Sequence, residues 1–261
     1  MTELRGKDRL IVALDVPTHD AALALVDELE NVSFFKIGLE LLFAGGLFSL
    51  LERLHERHRP TGGVFVDLKL AGDIGNTITA LVNQSCKRGV RFMTVVESVP
   101  LAITLDTIQT VRRTRKDDLF PELLMVPYLS SLGTQHLRDI GVQDDVDTYI
   151  MKRGRVMVDA GCDGLIVSGQ AIRTCRHAFG PTLTLVSPGI RPAWAGRDDH
   201  ARLTTPAQAI HLGSDYLVVG RPIRTAQSPH DAAQRIIDEI DEALVRPGRF
   251  ANSSEPTTRA T

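Results

Sequence analysis

The chain has 261 residues, 43% hydrophobic and 24% charged, with a formal net charge of −2. That length accommodates one large domain or two small ones around a substantial core, and the mixed charge excludes the basic footprint of a nucleic-acid-binding protein. The three cysteines, Cys86, Cys162 and Cys175, form no CxxC pair, which argues against a disulfide framework or a zinc site and for a reducing compartment.

Taken in chain order, short apolar runs rich in β-branched residues recur as candidate strands: LIVALDV (10–16), FFKIGLEL (34–41), VFVDLKL (64–70), FMTVVES (92–98), LLMVPYLS (123–130), GLIVSG (164–169), LTLVSPGI (183–190) and YLVVGRPI (216–223). Amphipathic stretches lie between them. In AALALVDELE (21–30) and DAAQRIIDEIDEALV (231–245) the apolar residues return at helical spacing, as Ala232, Ile236, Ile240 and Leu244 do in the second. Continuous apolar strands alternating with helices imply a parallel sheet covered on both faces. Eight strands in about 220 residues fit a closed (β/α)8 TIM barrel. An open doubly wound sheet is the alternative, but it usually carries a glycine-rich loop after its first strand, and ALDVPTHD has no glycine. The expectation is a single α/β barrel domain over residues 1–245 and a polar, disordered tail over 246–261. The N-terminal MTELRGKDRLIVALDV lacks the apolar stretch of a signal peptide, and no run is long enough for a membrane span, so a cytoplasmic protein without nucleic-acid or membrane partners is expected.

In such a barrel the chemistry sits at the C-terminal ends of the strands. These ends collect Asp15, Lys36, Asp67 with Lys69, Ser168, Arg191 and Arg221. Asp67 and Lys69 are two apart, so regular alternation points them to the same side of their strand. A lone Asp–Lys pair could be a structural ion pair. A buried network of several charges is a poor stability device, because each buried ion carries a desolvation cost of several kcal/mol, and a functional reading is preferred. On the last two strands SPGIRP (187–192) and VVGRPI (218–223) each supply glycine, arginine and proline. Glycine lets backbone N–H groups approach an anion and arginine adds a charge-assisted fork, so a phosphate site is expected there.

With these motifs in order, the chain resembles the orotidine 5′-phosphate decarboxylases from about residue 9 to residue 245, through ALDV, FFKIGLEL, VDLKL…DIGNT, DGLIVSGQ, SPGIRP and TPAQAIHLGSDYLVVGRPI. The resemblance implies a homodimeric β/α barrel with shared active sites. It also implies cofactor-free and metal-free conversion of orotidine 5′-phosphate to UMP and carbon dioxide in pyrimidine synthesis. By position, Asp15 and Lys36 would hold the ribose hydroxyls, Asp67 would face the substrate carboxylate and Lys69 would protonate C6. Asp73, Ile74 and Thr77 would reach into the partner's site. Ser168 would read the pyrimidine, and Arg191, Gly220 and Arg221 would take the phosphate.

The chain departs from the family in places. Its motif is Asp67-Leu-Lys69-Leu-Ala-Gly-Asp73, one residue longer than Asp-x-Lys-x-x-Asp, with Gly72 as the extra residue. Val96 stands where the family commonly has a histidine, His200 where it often has a glutamine in the phosphate loop, and MVPYLSS is an unusual end to the fifth strand. Two rivals remain: a related barrel decarboxylase or aldolase acting on a sugar phosphate with a metal ion, and a barrel that binds nucleotide phosphates without turning them over.

Overall fold

A computed structural model describes residues 4–58, 61–97, 101–115, 121–196 and 204–246. Eight parallel strands, β1 (Leu10–Ala13), β2 (Phe34–Ile37), β3 (Gly63–Leu70), β4 (Val90–Val96), β5 (Glu122–Val126), β6 (Gly164–Ile166), β7 (Thr184–Ser187) and β8 (Tyr216–Val219), pair in sequence order. The β1–β8 pairing, with Leu10 opposite Leu217 and Val12 opposite Val219, closes the barrel. The open doubly wound alternative is thereby excluded. The expected tail begins at the last described residues, and 247–261 lie outside them. No described helix is long and apolar enough to cross a membrane.

The strands are apolar on both faces because both are covered. Within β1, Ile11 and Ala13 point into the barrel, whereas Leu10 and Val12 face the helices. The interior below the site is an aromatic plug. Phe34 and Phe92 lie 5.1 Å apart between ring centroids, Phe92 and Tyr216 5.2 Å, and Phe65 and Phe92 5.9 Å. The last two meet edge to face, a favourable quadrupole geometry. Arg91 Nη2 donates to the Tyr216 hydroxyl at 2.6 Å, which satisfies the one polar tip of the plug.

The helices start on the residues their sequences advertise. Thr18 caps His19–Glu28 by accepting from Ala21 N–H at 3.1 Å. Ser228 caps Pro229–Val245, with Pro229 in the first turn where its missing N–H costs nothing. That last helix buries Ala232, Ala233, Ile236, Ile237, Ile240 and Ala243. Its Asp241 Oδ1 also accepts the Gly6 N–H at 2.7 Å, tying the two ends of the domain together. A Cβ on Gly6 would stand 2.6 Å from the Ile237 carbonyl oxygen, so only glycine permits this approach.

Most of the expected strands begin where the sequence puts them but stop early. The FFKIGLEL segment leaves the sheet after Ile37 and turns into a short helix, Leu39–Phe43. YLVVGRPI leaves it after Val219 for the helix Arg221–Arg224. Past Val219 the chain lines the top of the barrel with Gly220, Arg221 and Pro222 rather than extending its wall.

Candidate active site

The polar strand ends converge on one cavity of about 450 Å³ at the top of the barrel, within the usual range for a small-molecule site. Asp15, Lys36, Asp67, Lys69, Ser168, Arg191, Gly220 and Arg221 all line it, above a floor that includes Phe65.

Along one wall the charges alternate in sign. Lys36 Nζ lies 3.3 Å from Asp15 Oδ1 and 3.4 Å from Asp67 Oδ2, and Lys69 Nζ lies 2.8 Å from the same Asp67 oxygen. Asp67 and Lys36 are almost buried, their side chains 11% and 12% exposed, whereas Lys69 is 42% exposed and faces the open cavity. Burial by itself pushes the Asp67 carboxyl upward. The charges of Lys36 and Lys69, with hydrogen bonds from Lys69 and Thr94, outweigh it and hold the group below its ordinary value. Asp67 is thus a fixed anion shared by two ammonium groups.

Lys69 reaches this position by a different route from the one the sequence suggests. The β3–β4 pairing moves from Val66 opposite Met93 to Leu70 opposite Val95, so β3 bulges across the stretch that holds Asp67 and Lys69. Lys69 is also the one non-glycine residue with positive φ (50°) among those described. Simple alternation is therefore broken between the two, and the left-handed backbone at Lys69 sets the direction of its side chain. Gly72 follows at φ 87°, a conformation that suits glycine, so the longer motif turns at two places.

On the opposite side, Ser168 follows β6 and is buried, 2% exposed. Gly189 bends left-handed before Arg191, whose Nε donates to the Gly196 carbonyl at 2.5 Å and whose N–H donates to the Thr204 carbonyl at 2.9 Å. Gly220 starts the turn that carries Arg221. The two predicted arginines therefore share one end of the cavity, with Arg224 added. Neither Arg224 nor the cavity-lining run Tyr128–Ser131 was identified from sequence. Arg224 looks like a helix residue, and MVPYLSS drew notice only as an unusual strand end.

Asp73, Ile74 and Thr77 do not join the cavity of their own protomer. They sit on the turn before and the first turn of the helix Gly75–Lys87, and all three are exposed, Ile74 by 70%. Asp73 Oδ1 accepts the Ile74 N–H at 2.6 Å and forms no ion pair with Lys69 of the same chain. Val96 is half-buried and does not line the cavity, and His200 lies outside the described residues. Thr94, which the sequence reading passed over, contacts both members of the Asp67–Lys69 pair. The only signal for it was one hydroxyl inside the apolar run FMTVV.

The profile of the orotidine 5′-phosphate decarboxylase / HUMPS family matches residues 8–236. The chain belongs to this family. Over 247 residues it is 37% identical to the orotidine 5′-phosphate decarboxylase of Heliobacterium modesticaldum, covering 93% of this chain and all of that one. It is 41% identical over 238 residues to that of Rhodopseudomonas palustris, covering 91% and 96%. Among solved structures, the orotidine 5′-phosphate decarboxylase of Lactobacillus acidophilus superposes with a TM-score of 0.72 at 27% identity, over 89% of this chain and 98% of that one. Among the described residues of this family member, no group of three His, Cys, Asp or Glu side chains is placed to hold a metal ion.

Proposed function

We propose that this protein decarboxylates orotidine 5′-phosphate to UMP and carbon dioxide, supplying UMP for pyrimidine synthesis. The observation that carries the reading is the alternating chain Asp15–Lys36–Asp67–Lys69 facing an arginine-rich end across one cavity, in a chain of this family. Loss of carbon dioxide from C6 leaves an electron pair on a ring carbon with no adjacent sink. The site must stabilise charge that exists only near the transition state. Lys69, held at 2.8 Å from Asp67, is the cation for that charge. As the C6–carboxylate bond breaks, its ammonium gives a proton to C6 and its amine later takes one back from water. Asp67 keeps Lys69 in place and faces the substrate carboxylate, a repulsion relieved as carbon dioxide leaves.

The same reading gives Asp15 and Lys36 the ribose hydroxyls, Ser168 the pyrimidine edge, and Arg191, Gly220, Arg221 and His200 the phosphate. Phosphate contacts far from C6 supply binding energy for the reacting ring. The protein acts as a homodimer, with Asp73, Ile74 and Thr77 of one subunit completing the site of the other. Ile74, 70% exposed in the single chain, is the apolar side chain that such an interface would cover. The three free cysteines favour a reducing, cytoplasmic setting.

The test is a paired measurement on the purified protein: disappearance of orotidine 5′-phosphate, and titration with UMP. Turnover without added metal and competitive inhibition by UMP are expected. UMP binding without turnover would leave a phosphate-binding barrel, and turnover of a sugar phosphate only with a divalent metal would move the protein to the other branch of the family.

A further inference from the structure

We infer that Thr94 is a positioning residue whose hydroxyl clamps two groups at once, orienting the Asp67 carboxylate and holding Lys69 in the backbone conformation that brings its ammonium to that carboxylate. Its kinetic consequence rests on the decarboxylase reading; its geometry does not. Because the β3–β4 ladder is broken between Val66 and Leu70, the Lys69 N–H takes its partner outside the ladder. Thr94 Oγ1 accepts it at 3.0 Å. The same Oγ1 lies 2.8 Å from Asp67 Oδ1.

The donor and acceptor roles follow from these two contacts. A backbone N–H can only donate, and a hydroxyl has one proton. The Thr94 proton is therefore directed to Asp67 Oδ1, which must accept. This leaves Asp67 Oδ2 for Lys69 Nζ at 2.8 Å and Lys36 Nζ at 3.4 Å. Thr94 is 1% exposed, so water does not compete for either role. Three strands thus converge on one carboxylate, Lys36 from β2, Lys69 from β3 itself and Thr94 from β4, while Asp15, just past β1, pairs with Lys36. The clamp also accounts for the one left-handed non-glycine residue described: φ 50° at Lys69 turns its N–H to Thr94 while its side chain returns to Asp67.

The Thr94 hydrogen bond is one of the interactions that lower the Asp67 carboxyl, so removing it raises that group. Asp67 must be ionised for Lys69 to be held, and activity is lost as pH falls through its pKa. The acid limb of the kcat profile should then move to higher pH. A purely structural role for Thr94 would lower thermal stability and leave the limb where it is.

The experiment compares the wild-type dimer with Thr94→Val, Thr94→Ala and Thr94→Ser. It measures kcat and KM for orotidine 5′-phosphate across the acid range, Kd for UMP, and the 13C carboxyl titration of Asp67 in protein free of nucleotide. The valine and alanine variants should lose about 10- to 100-fold in kcat, as expected when a catalytic group is misplaced by about 1 Å. UMP affinity should stay within about threefold, since the lost interaction serves the transition state. Both variants should titrate Asp67 at higher pH, and serine should restore most of the rate. The alanine variant leaves space rather than strain, so it carries the measurement where valine does not fold. An Asp67 titration and acid limb unchanged in either variant, or a serine variant as slow as alanine, overturns the proposal. The carboxyl titration reads the clamp without turnover, so an inactive wild type would sink the decarboxylase reading while the clamp is still decided.

Discussion

Replacing Asp67 with asparagine removes one negative charge from between two ammonium groups and changes almost nothing in shape. The amide oxygen can keep the Thr94 contact, but the amide nitrogen then turns a donor toward Lys36 and Lys69. At 3.4 and 2.8 Å and an effective dielectric of about 20, the lost attractions are on the order of 5 and 6 kcal/mol before any correction. Lys69 is 42% exposed, so solvent screening reduces its share to about 1 kcal/mol. Lys36 is nearly buried but keeps Asp15 at 3.3 Å, so its share stays below the roughly 3–5 kcal/mol of a fully stranded partner, at about 2 kcal/mol. At about 3 °C per kcal/mol for a domain of this size, the apparent Tm of Asp67→Asn should fall by roughly 10 °C near neutral pH. The pH dependence has a definite sign. The folded Asp67 carboxyl lies below its ordinary value of 3.8, so its contribution is complete above that value and is lost as pH falls through the lower one. The Tm gap between wild type and variant, followed by calorimetry, should therefore hold above about pH 5 and narrow below about pH 4. A gap under about 2 °C at neutral pH, or one that stays constant into the acid range, would refute the charge-sharing account.

Three further outcomes are expected. Lys69→Ala should show no measurable decarboxylation in a continuous assay and a UMP Kd within about threefold of wild type, because its work is at the transition state; substantial turnover would contradict the proton-donor role. Arg221→Ala should weaken UMP binding by roughly 2–4 kcal/mol in calorimetric titration, as one partner of a charge-assisted pair is lost, and an unchanged Kd removes the phosphate assignment. The protein should sediment as a dimer, and Ile74→Arg, at a side chain 70% exposed in the protomer, should shift it toward monomer with parallel loss of activity; a fully active monomer contradicts the shared site.

The barrel was legible because its signal is periodic and repeated: eight apolar runs separated by amphipathic stretches leave few other ways to bury both faces of each strand. Asp15, Lys36, Asp67, Ser168, Arg191 and Arg221 were legible as a group, and they do line one cavity, because polar residues at the ends of several such strands meet at the top of the barrel. What the sequence did not reveal depends on local departures from regularity. Nothing in VDLKLAGD announces that Lys69 leaves the extended conformation, since lysine is not a residue that favours positive φ. Thr94 reads as an ordinary strand threonine until the bulge beside it is seen. Arg224 enters the cavity because VVGRPI stops being a strand at Val219, and the end of an apolar run is less sharply encoded than its start. Asp73 illustrates another limit: its motif is recognisable, but within this chain it only accepts the adjacent N–H, and its place in a second chain's site belongs to the proposed dimer.

The aromatic plug of Phe34, Phe65, Phe92 and Tyr216 bears on more than packing. It puts a water-free, low-dielectric layer beneath the lysine–aspartate row, while the other side of the row opens on the cavity. Field lines from fixed charges avoid such a layer and concentrate on the side where they can spread. The barrel floor thus acts as a reflector: the local field of the alternating row, whose ammonium at Lys69 opens on the cavity, is turned outward rather than dissipated symmetrically through the protein. A polar side chain introduced at Phe65, which both floors the cavity and touches Phe92, would admit screening from below and weaken that field with every charged residue still in place.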